Sequence, residues 1–353
     1  MEQMNPLVLF LLAALSFVPA TAQGPALEYG APGVRTYASQ RPDSTVLLPQ
    51  ESVSSKPRQN ALPSYAPPPI PDDVWAEWRS RAEKEGLWKE LWKSHGLSNK
   101  IRVAGKSVQG RDIYLFEAGN PNAPTLFVDS QMHGNEDHAH EVLLLCAYWL
   151  LNGAATGDAT AQRIMEKNRI IFMPIVDTDL SDKRAIGTFG RVNANGVNIN
   201  RNFAHNFRLQ GSGSDAYSGP SAASEPETQT VRSVFKTYKP RVYINLHTGA
   251  FMASARGDAD LSNQIIQNGP WFSSHFKAGY RAAFGGGGFA VSDAVEESPG
   301  CSAWLIEFFR QKTTDPEYHA WRHDATNLDI IQSRYYPMFK EFLISALKAI
   351  ETQ

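Results

Sequence analysis

The chain has 353 residues, with 34 basic and 36 acidic side chains and a formal net charge of −2 at pH 7. This near-neutral balance, without a cluster of basic residues, argues against nucleic acid as the partner. The length is that of one moderately large enzyme domain with a short segment before it.

The first 70 residues are predicted to lie outside the folded domain. An apolar run from Leu7 to Ala20 ends in Ala20-Thr21-Ala22, which is typical of a secretory signal peptide over residues 1–22. Residues 23–70 are rich in Pro, Ser, Gln and Gly and are expected to form a linker. The signal predicts a secreted or periplasmic protein. Because about 15 apolar residues are too few to cross a membrane comfortably, no stable membrane span is expected.

The remaining residues, 71–353, are predicted to form one domain of alternating strands and helices. Short apolar runs predict strands, and longer segments with helical apolar spacing predict helices. Such alternation is typical of an α/β fold. The predicted elements in chain order are an aromatic, charged helix over 71–92, strands over 100–103, 112–118 and 125–129, a helix over 136–152, strands over 170–175, 241–246 and 302–309, and a final helix over 327–350.

Two histidines and a glutamate follow predicted strands. His133 and Glu136 come soon after the strand over 125–129, and His247 follows the strand over 241–246. Two imidazoles and one carboxylate are the ligands that leave a zinc ion one open position. Adjacent parallel strands would bring these groups to a common edge of the sheet, where α/β proteins hold their ligands. We therefore predict one catalytic zinc ion.

A second His-x-x-Glu pair, His138 and Glu141, lies in the same region. Spacing alone does not choose between the two pairs. We prefer His133 and Glu136, because the small Gly134 lets the chain turn sharply off a strand. His138 and Glu141 would already lie inside the following helix.

Two further stretches contain residues suited to hydrolysis. The turn-rich segment 190–203 contains Arg191, Arg201 and several amides, including Asn200. Arginine is the side chain best shaped for bidentate binding of a carboxylate. Glu307 lies in an apolar strand, and a buried acid costs roughly several kcal/mol unless it is protonated or paired. A chemical role for Glu307 would explain its position.

Taken in order, these stretches resemble the zinc carboxypeptidases, the family of the pancreatic carboxypeptidases A and B and the regulatory carboxypeptidases. The resemblance runs from about Leu97 to the C-terminal helix. It implies a single α/β domain in which a mixed eight-stranded sheet has helices on both faces. The matching stretches are Ser107-Val108-Gln109-Gly110-Arg111-Asp112, His133-Gly134-Asn135-Glu136, Asn200-Arg201-Asn202-Phe203, Ser224-Glu225-Pro226-Glu227-Thr228 and the strands that carry His247 and Glu307.

The resemblance also implies an activity, which is hydrolysis of the C-terminal peptide bond by metal-activated water. The expected substrate is a peptide or muropeptide with a free carboxylate. Residue by residue, the resemblance implies zinc binding by His133, Glu136 and His247, binding of the substrate carboxylate by Asn200 and Arg201, oxyanion stabilisation by Arg191, and general acid/base catalysis by Glu307.

The chain departs from the family pattern in two places. Residues 176–179 replace a common Asn-Pro-Asp-Gly turn, and we expect an altered loop there. Digestive relatives have a mobile tyrosine before the catalytic glutamate, but the nearest candidate, Tyr280, is poorly registered and is predicted to be an ordinary surface or core residue. Four glycines over 285–288 predict a flexible lid or specificity loop.

Substrate preference and cysteine pairing are open at this stage. The acidic segment 291–297 falls where the family builds the pocket for the leaving residue, and an acid there would favour Lys or Arg. An acidic cluster in a loop is more often a solvated face. Cys146 and Cys301 could form a disulfide in an exported protein, although a buried free thiol is the commoner outcome for Cys146.

Alternative functions use the same kind of zinc site. Some relatives cut amide bonds in bacterial cell-wall peptides, and others deacylate small amino acids. The combination of Arg191, Asn200 and Arg201 favours a peptidase over a deacylase, whereas a cell-wall amidase or endopeptidase stays an alternative. A secreted binding protein that has lost catalysis is disfavoured, because every chemical residue is present.

Overall fold

The computed structural model describes residues 79–181, 191–270, 272, 279–280, 287–310 and 331–351. All of them belong to one compact unit, residues 63–353. The predicted signal peptide, the linker and the beginning of the predicted first helix lie outside the described residues. None of the described helices alone is long and apolar enough to span a membrane, although the bent pair Asp137–Thr156 and Ala159–Lys167 reaches that length and composition when taken together.

The helices and strands follow the predicted order, with changed ends. The first helix begins after Ser80, because the Glu83 backbone N–H donates to the Ser80 hydroxyl and the Ser80 N–H donates to the Glu83 carboxylate. The helices are α1 (Arg81–Ser94), α2 (Asp137–Thr156), α3 (Ala159–Lys167), α4 (Pro226–Tyr238), α5 (Ala259–Asn268), α6 (Ala290–Glu297) and α7 (Tyr336–Glu351), and the strands are β1 (Ile101–Lys106), β2 (Asp112–Gly119), β3 (Thr125–Asp129), β4 (Arg169–Met173), β5 (Val242–Gly257), β6 (Gly279–Tyr280) and β7 (Ser302–Arg310).

The strands form one mixed sheet in the order β1-β2-β4-β3-β5-β6, with β7 also paired to β5. The first two pairings are antiparallel, and β3 is parallel to both β4 and β5. The predicted α/β sheet of mixed direction is therefore confirmed, but the described residues contain seven strands rather than eight.

The difference in strand number comes from β5, which reverses direction near Gly249. Its first arm, residues 242–248, runs parallel to β7 from Ser302 to Phe308, whereas its second arm, residues 252–257, pairs with β7 in descending order. Gly249 has a φ of 135°, a conformation that favours glycine. Because both arms pair with the same residues of β7, they flank it on opposite sides. The two arms thus occupy two strand positions in the sheet but count as the single strand β5.

Helices cover both faces of the sheet, as predicted. Successive side chains of β3 alternate, so Leu126 and Val128 enter a core with α2 and α7, whereas Phe127 enters a second core with α4 and α6. Trp88 and Trp92 of α1 are fully buried in the first core. Cys146 and Cys301 are both buried and free, so the possible disulfide is absent.

The loop between β3 and α2 is fixed by buried polar contacts. Lys84 of α1 is fully buried, pairs with Asp137 and donates to the Ser181 carbonyl oxygen at 3.1 Å. The Gln131 amide also donates to Asp137, at 2.6 Å. Gly134 is required by close packing, because a Cβ there would lie 2.6 Å from the Leu180 backbone carbon. These contacts hold residues 130–136 at the edge where β3 and the first arm of β5 end.

Candidate metal and active site

The three predicted zinc ligands lie together at the carboxyl ends of β3 and of the first arm of β5. His133 lies in the loop after β3, Glu136 directly precedes α2, and His247 ends the first arm of β5. Their ligand atoms lie within 4.8 Å of one another, and the group is the one such cluster found among the described residues. The Nδ1 atoms of His133 and His247 are 2.8 Å and 2.7 Å from the two Glu136 carboxylate oxygens. All three side chains are buried.

The remaining imidazole nitrogens face asparagine side chains. His133 Nε2 is 3.1 Å from the Asn198 Oδ1 atom, and His247 Nε2 is 2.7 Å from the Asn245 Oδ1 atom. An amide oxygen accepts hydrogen bonds, so it suits a ring whose Nε2 carries the proton. With zinc bound, the lone pair of each Nδ1 would face the metal and each Nε2–H would donate to its asparagine. Such outer hydrogen bonds are how proteins orient histidines that bind metals.

Asn245 is itself held in one orientation by Asp129. The Asn245 Nδ2 atom donates to Asp129 Oδ1 at 2.7 Å, and the Tyr243 hydroxyl donates to Asp129 Oδ2 at 2.7 Å. Because the amide nitrogen of Asn245 faces a carboxylate, its oxygen must face His247. Burial raises the pKa of Asp129 to about 7, although both hydrogen bonds act in the opposite direction. The chain of contacts from Tyr243 to His247 is wholly buried.

The charges at this site suit a cation. Burial alone would raise the pKa of Glu136, but His133 and His247 hold it below its ordinary value. Burial lowers the pKa of His133 to about 4, so this ring is neutral near pH 7. Burial also disfavours a charged His247, yet Glu136 outweighs that effect and raises its pKa. Two oriented imidazole nitrogens and an ionised carboxylate fit Zn²⁺, which would displace any proton from His247.

Arg201 lies beside the cluster without an acidic partner. Its Nη1 atom donates to the Asn200 carbonyl oxygen at 2.9 Å, and its guanidinium lies 4.3 Å from the centre of the Phe289 ring. Within the described residues no carboxylate oxygen lies within 4.0 Å of it. Burial and the charge of Arg191 lower the pKa of Arg201 to about 10, while Glu307 acts against them. The guanidinium is therefore charged and can receive an anion.

Asn200 is placed differently from the expectation that it contacts substrate directly. Its Oδ1 atom accepts a hydrogen bond from the Ala290 N–H at 3.0 Å. Its Nδ2 atom lies 3.1 Å from His247 Nε2 and 3.4 Å from Asn245 Oδ1. Both polar atoms of this carboxamide already have protein partners, and the side chain is buried.

Arg191 and Glu307 border the metal cluster. Arg191 Nη1 is 3.8 Å from a Glu136 carboxylate oxygen, and its side chain is 31% exposed. Glu307 on β7 is the register partner of His247 on the neighbouring β5. Its negative charge contributes to raising the pKa of His247. The sequence suggested a buried acid at position 307, but Glu307 is half-buried, between the buried Ile306 and Phe308. It is thus accessible to a substrate or a water molecule.

The alternative pair does not join the cluster. His138 is buried within α2, and Glu141 binds Arg79 at 3.1 Å and lies 3.4 Å from His140. Sequence reasoning missed Asp129, Asn198 and Asn245 as site residues. Asn245 lies two residues before His247, and this spacing on a strand places both side chains on the same face. That period of two was the available signal.

Two of the resembling stretches brace the fold rather than line the site. The Ser107 hydroxyl and the Gln109 N–H donate to Asp179 at 2.7 Å and 2.9 Å, and Arg111 pairs with the same carboxylate at 2.6 Å. The Val108 N–H donates to Glu227 at 2.9 Å. These contacts tie the turn between β1 and β2 to α4 and to the altered loop after β4.

The described end of the glycine run packs tightly. A Cβ on Gly288, which has a φ of 72°, would lie 2.0 Å from the Arg201 carbonyl oxygen, and one on Gly287 would lie 1.7 Å from the Asn206 carbonyl oxygen. These two glycines therefore permit close approach, while the rest of the predicted lid, residues 285–286, lies outside the described residues. The backbone of Tyr280 pairs with Ala255 in β6.

Comparison with known proteins agrees with this architecture. A family model for zinc carboxypeptidases matches residues 85–275. Human carboxypeptidase D is 26% identical over 249 residues, which are 67% of this chain and 17% of that protein. Carboxypeptidase D of Anas platyrhynchos is 31% identical over 171 residues, 46% of this chain and 12% of that protein. The chain thus spans less than a fifth of the length of these relatives.

Solved structures share the fold. Carboxypeptidase A from Helicoverpa armigera has a TM-score of 0.62 and 18% identity, over 79% of this chain and 75% of that chain. Thrombin activatable fibrinolysis inhibitor has a TM-score of 0.61 and 14% identity, over 80% and 78%. A metallo-carboxypeptidase from Burkholderia cenocepacia has a TM-score of 0.55 and 16% identity, over 75% and 68%. At these identities the likeness concerns the fold.

Replacing Asn245 with leucine should weaken zinc binding by about 10- to 100-fold, because His247 would lose the acceptor that keeps its proton on Nε2. Zinc affinity measured by competition with a chromophoric chelator checks this. Asn122→Leu, which removes an exposed amide before β3, should bind zinc like the wild type. Nitrogen NMR of the zinc-bound protein should show His247 protonated on Nε2 in the wild type. Unchanged zinc affinity in Asn245→Leu would contradict the role given to this amide.

Proposed function

Because this chain belongs to the zinc carboxypeptidase family, we propose that it is a zinc-dependent metallocarboxypeptidase that hydrolyses the C-terminal peptide bond of its substrates. The observation that carries the proposal is a cluster of metal ligands with a positively charged side chain beside it. The cluster of His133, Glu136 and His247 suits a metal ion, and the adjacent Arg201 guanidinium has no acidic partner among the described residues. A metal centre beside an anion-binding group is what an exopeptidase requires.

His133, Glu136 and His247 would hold the zinc ion. Bound zinc supplies Lewis-acid chemistry, which acidifies water and polarises a carbonyl group. Glu307 is opposite His247 and half-buried, so it can accept the proton of the attacking water and then deliver it to the leaving nitrogen. This role explains an acid in an otherwise apolar strand.

The two arginines divide the remaining work. Arg201 would bind the free carboxylate of the substrate and so position the last peptide bond for attack. Arg191, on the metal side of the site, would stabilise the oxyanion that develops during attack. Asn200 would support Arg201 through its carbonyl oxygen, and a direct contact with substrate would require its carboxamide to leave its present partners.

The proposed substrate is a peptide with a free C-terminus, encountered outside the cytoplasm. The location is inferred from the predicted signal peptide at residues 1–22, and a cell-wall peptide with a free carboxylate would satisfy the same groups. The activities of the whole relatives do not transfer directly, since the chain covers a small part of their length.

A peptide acid and its amide should be hydrolysed at rates that differ by at least about tenfold, because the amide leaves the Arg201 charge without its partner. Arg201→Met, which retains packing on Phe289, should slow hydrolysis of the acid and remove most of the difference. Arg191→Met should slow both substrates alike. The measurement is kcat/KM for matched acid and amide peptides. Equal rates in the wild type would contradict the carboxypeptidase proposal and favour an internal amidase of cell-wall or other branched peptides.

Glu307→Gln should reduce turnover by about two orders of magnitude or more while zinc content stays unchanged, because the amide cannot accept the proton. Steady-state kinetics and metal analysis of the same sample check this. Glu296→Gln, an exposed neighbour on α6 whose side chain is 67% accessible, serves as the matched control and should be unaffected. Near-normal turnover in Glu307→Gln would mean that another group activates the water.

A further inference from the structure

The second arm of β5 presents a partly buried arginine on the same face of the sheet as Glu307. Met252 is opposite Glu307, and Arg256 is opposite Ala303. Glu307 and Ala303 are four residues apart on β7, so Met252 and Arg256 lie on the same face of the sheet as Glu307. Ala253 and Ala255, which lie between them, belong to the core on the opposite face. The Arg256 side chain therefore extends toward the side of the sheet that carries the active-site acid.

Arg256 and Arg201 meet the same end of α6. The Arg256 Nη1 atom donates to the Ser292 hydroxyl at 2.6 Å, and Ser292 is buried. Two residues earlier, the Ala290 N–H binds Asn200, and the preceding Phe289 lies against Arg201. Because a helix rises about 1.5 Å per residue, these contacts fall within one turn of α6. The two guanidinium groups thus contact the beginning of α6, Arg201 at the residue before it and Arg256 in its first turn.

Arg256 differs in its charge balance from several arginines of the same domain. Arg169, Arg232 and Arg241 each lie within 4.0 Å of a carboxylate oxygen. No carboxylate within the described ranges lies that close to Arg256. Its hydrogen-bond partner, the Ser292 hydroxyl, carries no charge. A planar guanidinium that is partly desolvated and unpaired is well suited to a carboxylate ligand.

The acids of segment 291–297 do not compensate this charge. Asp293 is buried, pairs with Arg232 at 2.5 Å and accepts a hydrogen bond from the His205 N–H. Glu297 also binds Arg232, at 2.9 Å, and Glu296 lies 3.4 Å from His205. Each of these acids already has a partner in Arg232 or His205, which disfavours an acidic pocket for Lys or Arg.

We propose that Arg256 is a specificity-determining residue that selects a leaving residue with a side-chain carboxylate. This inference rests on the proposed carboxypeptidase function. The substrate's α-carboxylate binds Arg201, and its second carboxylate binds Arg256, which Ser292 orients. Glutamate, aspartate and diaminopimelate share this chemistry, and the last of these would indicate a cell-wall peptide.

The test measures kcat/KM for peptides that differ only in the last residue: Glu, Asp, diaminopimelate, Gln, Leu or Lys. The wild type should prefer Glu over its neutral isostere Gln by at least about tenfold, as expected for a charge-assisted pair. Arg256→Met should abolish that ratio and leave the rate for Leu within about threefold. Arg256→Glu should shift the preference to Lys. Lys236→Met removes an exposed positive charge on α4 and should preserve the wild-type ratio.

The outcomes separate this inference from the proposed function. Equal rates for Glu and Gln in the wild type, or an unchanged ratio in a folded Arg256→Met variant, would overturn the role of Arg256. If Arg256→Met does not fold, the wild-type ratio and Arg256→Lys decide, since lysine keeps the charge and should retain a preference for Glu. A loss of discrimination between acid and amide would instead contradict the carboxypeptidase function, whatever the last residue. If the peptide ending in diaminopimelate has the highest kcat/KM, the substrate is a cell-wall peptide. If the peptide ending in Glu or Asp has the highest value, the substrate is an ordinary peptide.

Discussion

The Glu136 carboxylate, held between two buried imidazoles at 2.8 Å and 2.7 Å, is the interaction on which the rest of the site depends. An ionised acid in a desolvated position is costly unless cations or proton donors surround it. That requirement explains the proximity of Arg191, the raised pKa of His247 and the suitability of the group for a divalent metal. The loop that positions Glu136 is in turn fixed by the buried pair of Lys84 and Asp137.

The sheet organises the chemistry around this carboxylate. The reversal of β5 gives β7 a partner on each side, so Glu307 has His247 on one side and Met252 on the other. The metal cluster and the second arm of β5 are thereby joined through a single strand. In the proposed function, substrate binding would come from α6 and from the segment that carries Arg201, which Gly288 allows to approach closely. The proposed catalytic and binding groups thus come from separate packed elements.

Sequence reasoning located the parts that depend on local pattern. The strand Thr125–Asp129 was predicted with its observed bounds because it is a continuous buried run, and the metal cluster followed from residues at the ends of adjacent strands. The reversal of β5 was not predictable, because its second arm looks like a continuation of the strand. The engagement of Asp293 by Arg232 was also missed, since it joins residues 61 positions apart and needs tertiary packing.

The most direct test of the account is the position of the metal, located by anomalous diffraction at the zinc edge from crystals grown with zinc. A single strong peak is expected, with His133 Nδ1, His247 Nδ1 and a Glu136 carboxylate oxygen each at about 2.0–2.2 Å. A peak beside His138 and Glu141, or coordination of either ring through Nε2, would contradict the assignment of the site and of the amides that orient it.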